Sequence, residues 1–241
     1  LVLATCDQAR IVSLHAAAAE ALRVLSGDDD ARQAALGHHY RGAGSFAEAA
    51  RRFERAAEHA RSLFANAEAI AHYEAALATL DAAVPGAARS RVAERLGELC
   101  TLAGRNEQAR TVFDEALASL ADSDREPRAR VLRKRAKTWE STHQHAEALA
   151  DYDAAMAALG DDAAHDTRSA EWLVIQVERV WVHYWLAQVG AMVELVERVR
   201  ARIEASDDAR LQSRFFQALV HQDLRRDRYR IAPATVVAAR A

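Results

Sequence analysis

The stretch that decides the fold runs Leu36-Gly37-His38-His39-Tyr40, then Gly44, Ala49, Phe53 and Ala56. Sixty residues later the series returns as Leu96-Gly97, Cys100, Gly104, Ala109, Phe113 and Ala116, with every landmark at its own offset. A third copy reads Ala136, Trp139, Ala148, Tyr152 and Ala155, alanine standing where the first two have glycine. A half-unit, Ala69, Tyr73 and Ala76, lies between the first two copies. Spacings of three and four residues put each set on one face of a helix. A small residue on one helix lets a second approach closely, the second helix supplies an alanine at the contact, and its aromatic is expected to fill the seam to the next unit.

This is the pattern of a tetratricopeptide repeat (TPR), a helical hairpin that cannot bury its apolar face alone and so stacks on copies of itself. Composition agrees. Roughly a quarter of the residues are alanine, the strongest helix former, while glycine (9) and proline (3) are scarce. Little β-branched or aromatic material remains for a sheet. The expected fold is all-α, a TPR-like helical-hairpin solenoid wound as a right-handed superhelix of about twelve helices. The breakers bound those helices at 7–25, 30–42, 46–64, 67–82, 87–103, 107–121, 127–142, 145–159, 165–188, 191–205, 208–226 and from 234 onward. They group into a leading helix over 1–26, repeats over 27–160, and divergent hairpins over 161–241.

The run Ala35-Leu36-Gly37-His38-His39-Tyr40-Arg41-Gly42-Ala43-Gly44, with Ala49-Ala50-Arg51-Arg52-Phe53 and Leu63-Phe64-Ala65-Asn66-Ala67-Glu68-Ala69-Ile70-Ala71-His72-Tyr73, carries a resemblance. It resembles the C-terminal helical-repeat region of large bacterial signal-transduction ATPases of the STAND class. These include LuxR-type and MalT-like transcriptional regulators and ATPases fused to adenylate cyclase domains. Ser13-Leu14-His15 and the alanines that follow look like the helix leading out of their winged-helix module. The resemblance implies a sensor or docking arm whose partner is a protein or peptide, an intramolecular ATPase domain included, or a small-molecule effector held within the superhelix. The chain opens on Leu1 and closes inside a helical pattern at Ala241, as expected of a piece of a longer protein.

Charge and motifs exclude several classes. Net charge is −3, where a nucleic-acid binder carries a basic excess. Arg, Glu or Asp interrupts every apolar run short of a membrane span, and no signal peptide is expected. Two cysteines, Cys6 and Cys100, fit neither a disulfide framework nor a metal spacing, so a reducing, cytoplasmic setting is expected. A phosphate loop needs Gly-Lys-Ser/Thr, and the only lysines are Lys134 and Lys137. Gly42-x-Gly44 follows a helix and lacks a third glycine. His38-His39 point about 100° apart on a helix, and His143-x-His145 fall at a turn, so no metal is expected from either pair. Asp122-x-Asp124-x-Glu126 lacks the glycine and the closing glutamate of a calcium loop. No catalytic residue, cofactor or metal is expected, and the chain reads as a non-enzyme.

Two features remain. Arg130, Arg133, Lys134 and Lys137 line one side of the helix near Pro127, opposite Leu132, Ala136 and Trp139. The first helix of each repeat lines the concave groove, which makes Arg130, Arg133 and Lys137 candidate partner-binding residues, with Glu94, Glu98, His38 and Arg41 on other first helices. A solvated face is the competing reading. The second feature is Trp172 to Leu186, a helix apolar around most of its circumference, with Trp172, Trp181 and Trp185. It is either a core helix or an aromatic surface for a partner or apolar ligand. A scaffold would present a long open polar groove, a sensor a pocket with converging polar groups.

Overall fold

The computed structural model describes residues 7–26, 29–80, 86–160, 170–226 and 230–238. Cys6, the break at Pro85, Asp161-Asp162 and residues 165–169 of the ninth expected helix lie outside them. The fold is all-α. Among the described residues the helices are α1 (Gln8–Ser26), α2 (Gln33–Gly42), α3 (Phe46–Ser62), α4 (Asn66–Leu80), α5 (Gly86–Leu102), α6 (Asn106–Ala118), α7 (Arg125–Ser141), α8 (His145–Leu159), α9 (Ala170–Trp185), α10 (Val189–Glu204), α11 (Ala209–Arg226) and α12 (Pro233–Ala238). A single 3₁₀ turn, Asp30–Arg32, precedes α2, and the Asp29 carboxylate accepts from the Ala31 amide to cap it. α7 begins two residues before Pro127, which falls in the first turn, where a missing N–H costs nothing.

The chain divides into two compact units, 1–121 and 122–241, within the stretch that the sequence groups as repeats. In the first, each helix packs on the next along the chain, from α1 to α6. Ion pairs from Arg91 to Glu54 (2.9 Å) and from Arg95 to Glu58 lay α5 beside α3. In the second unit α7 packs on α8, α8 on α9, α9 on α10 and α10 on α11. There α9 also touches α7 and α11, so these three helices share one layer.

One turn recurs. A single residue in it enters the left-handed region, at Gly44 (φ 76°), Phe64 (60°), Gly104 (74°), His143 (58°) and Ala187 (56°). The following amide then donates to a carbonyl five residues back, as in Ser45 to Tyr40 and Gln188 to His183. Five residues beyond the left-handed position stand Ala49, Ala69, Ala109, Ala148 and Met192, all fully buried. Nine residues beyond stand Phe53, Tyr73, Phe113, Tyr152 and Val196, buried as deeply. The half-unit at 69–76 is therefore a complete second helix whose first helix is α3. That helix closes one hairpin with α2 and opens another with α4, burying Ala49, Ala50, Phe53, Ala56, Ala57 and Ala60.

The glycines explain the spacing. A Cβ on Gly37 would lie 2.9 Å from the Phe53 ring, and one on Gly97 2.6 Å from Phe113. Each aromatic therefore seats over the glycine of its own hairpin. Cys100 is buried in the same layer, its thiol pushed up to about 11 by burial.

Candidate binding site

The basic residues of α7 are not an open positive stripe. Arg133 Nε donates to Glu171 at 2.5 Å, and its Nη1 lies 3.3 Å from Glu178, with 14% of the side chain exposed. Lys137 Nζ sits 3.1 Å from Glu140 and 3.9 Å from Glu178. Arg130 is half-buried. The expected concentrated positive surface is thereby corrected. α7 packs against α8 and α9, and Arg133 meets the carboxylates of α9, while Lys137 lies between Glu140 of its own helix and Glu178.

Glu178 is the hub. Its side chain is 6% exposed, and besides Arg133 and Lys137 it accepts from Arg214 Nη1 of α11 at 2.9 Å and from the Tyr152 hydroxyl at 3.4 Å. Tyr152 also donates to Glu140. A carboxylate can sit this deep only with such partners. Burial pushes the Glu140 carboxyl above its ordinary pKa, against the opposing pull of Lys137 and the Tyr152 hydroxyl. Burial works against the Arg133 charge, yet Glu178 and Glu171 outweigh it and hold that guanidinium above its ordinary value. Burial, with Glu178 and Glu140 nearby, raises Tyr152 far enough to keep it a neutral donor.

Beside this network opens a cavity of about 320 Å³, lined by the nearly buried Glu140 and Glu178, by the part-exposed Lys137 and Arg214, and by Trp181 and His221. The volume lies in the range of small-molecule sites, ~300–1,000 Å³. Arg214 is half exposed, so it can move without unpacking a helix. The Trp181 and His221 rings lie 4.3 Å apart, and burial lowers the His221 pKa, which favours a neutral ring. Outward from Trp181 the aromatic series continues through Tyr184 and Trp185, each at 5.5 Å, to His145 stacked on Trp185.

The candidate tryptophans separate. Trp172 is 2% exposed, with Arg202 4.8 Å over its ring, so it belongs to the core and offers no surface. Trp181 is half-buried and faces the cavity, while Trp185 is 45% exposed. Glu94, Glu98, His38 and Arg41 lie in the first unit, on α5 and α2. Glu94 is buried and Glu98 exposed. His38 rests its ring edge on Phe53 at 5.0 Å, and Arg41 lies 5.4 Å over the same ring. The sequence reading missed Glu140, Glu178, Arg214 and His221. Glu171 and Glu178 carried a signal, two carboxylates seven residues apart on a helix apolar around most of its circumference. Among the described residues no three His, Cys, Asp or Glu side chains converge to hold a metal.

No protein-family model matches the chain. No curated protein matches it. Among solved structures it is similar to BtubC (BKLC) from P. vanneervenii, with a TM-score of 0.67 and 17% identity over 98% of this chain and 91% of that one. At that identity the likeness speaks for the fold alone. No helix among the described residues is long and apolar enough to cross a membrane.

Proposed function

We propose that this chain is a non-catalytic binding module, the sensor arm of a larger cytoplasmic signalling or transcriptional regulator, and that its second unit takes a small effector in the cavity between α7, α9 and α11. The observation that carries this reading is the convergence of Lys137, Glu140, Glu178 and Arg214 from three helices on one cavity walled by Trp181. Convergent charge beside an apolar wall is the arrangement of a ligand site rather than of a flat docking face. The resemblance to STAND-class repeat regions points the same way. Mass spectrometry of metabolites retained by the chain after ultrafiltration tests it, with Trp181→Ala as control. A compound held by the parent and lost by the variant is the expected result. Retention of none, or equal retention by both, sinks the reading.

A protein partner is the second reading. A further cavity of about 490 Å³ on α11 shares Gln217 and His221 with the first, extending it toward a groove. A polypeptide captured by the parent and not by Trp181→Ala would favour it.

A further inference from the structure

Resting on the small-effector reading, we infer that the ligand of this cavity is a single zwitterion: a free α-amino acid with an apolar side chain, spliced into the Arg214–Glu178 ion pair. The argument is one of charge balance. The cavity holds two cations, Lys137 and Arg214, and two carboxylates, Glu140 and Glu178. Arg133, behind them, is matched by Glu171 at 2.5 Å. A ligand with a single net charge meets only one member of the Arg214–Glu178 pair: a cation leaves Arg214 without its carboxylate, and an anion leaves Glu178 to Arg133 and Lys137 alone. A dipolar ligand exchanges both ends at once. Its ammonium takes the place of the Arg214 guanidinium at Glu178, and its carboxylate takes up the guanidinium released.

The two groups are placed for that exchange. Glu178 lies deep, 6% exposed, while Arg214 is 51% exposed and 2.9 Å away. The ammonium would therefore enter first, with the carboxylate outermost. Glu140 lies beside Glu178 under the shared Tyr152 hydroxyl and supplies a second acceptor. The rest of the wall is mostly apolar, Val177, Trp181 and Ala218, with the uncharged Gln217 and the His221 ring beside them. An aliphatic or aromatic side chain suits that wall and a charged one does not.

Calorimetry on the full chain tests the inference with L-leucine, L-phenylalanine and L-tryptophan. Each is compared with its N-acetyl form, its carboxamide and the doubly blocked compound. At least one free amino acid should bind, and blocking either end should weaken it about tenfold or more, as expected for loss of a charged hydrogen bond. Arg214→Gln, at an exposed position, should weaken the free amino acid similarly and erase the difference between carboxylate and carboxamide. Equal binding of free and doubly blocked forms would overturn the inference, as would sensitivity to one end only. So would the absence of heat from every compound at millimolar concentration. If the panel fails while Trp181-dependent metabolite retention persists, the effector reading stands and only the zwitterion falls. If both fail, both fall.

Discussion

At the scale of single residues, the second unit depends on charges matched out of solvent. Arg133→Glu would set a third carboxylate against Glu171 and Glu178, and should cost about 3–5 kcal/mol, the range for breaking a buried pair. Urea denaturation reads this; a cost under ~1 kcal/mol would mean that solvent screens the site. Glu140 gives a pH signature. Its raised pKa means that the folded chain holds this proton more tightly than the unfolded chain does. The stability it contributes is present below the ordinary carboxylate range and is lost as pH rises through the raised folded value. Glu140→Gln removes that loss, so the variant's stability relative to the parent should climb across this window. Denaturation midpoints at stepped pH would show it, and a constant difference would contradict it. The sequence singled out Arg133 and Lys137 of this network but neither Arg214 nor its anions. Helical periodicity gives the side a residue faces on its own helix, while the partner there comes from a helix some forty positions away.

At the scale of the hairpin, much was legible, because glycine and aromatic landmarks encode a close approach directly. Gly97→Ala should cost about 1–3 kcal/mol by overpacking against Phe113, its new Cβ only 2.6 Å from the ring. Gly104→Ala meets nothing within 4 Å and should cost only the ~1–2 kcal/mol of a left-handed alanine. Thermal unfolding of the pair separates packing from backbone strain. Phe64 is the converse case, left-handed at φ 60° with its side chain 88% exposed. Phe64→Gly should raise stability by about 0.5–1 kcal/mol, since it relieves strain and the ring it removes stands in solvent; a decrease would show that the ring is held. The hairpin of α9 and α10 was expected as divergent rather than as a further copy of the repeat, for a physical reason. Its turn uses Ala187, and its buried positions use Met192 and Val196, which fill the same space with other shapes.

At the scale of the whole molecule, the all-α class followed from composition, and far-UV circular dichroism should show helix with no strand signature. Substantial strand content would contradict the architecture. The division after Ala121 was not legible, since no proline- or glycine-rich linker marks it. The candidate site was half legible. Trp181 and Lys137 stood out by type and spacing, but the cavity exists only because α7, α9 and α11 share a layer.

The recurring left-handed turn makes the array intolerant of indels in a way that its exposed position would not suggest. From the turn residue to the first buried position is five residues, and to the second nine, at each of the five turns described. Each added residue would advance the next helix by about 100° around its axis. One insertion between Gly104 and Ala109 would thus swing Phe113 away from Gly97 and carry its neighbours inward. The turn is a phase lock: its residues differ from copy to copy, but its length does not.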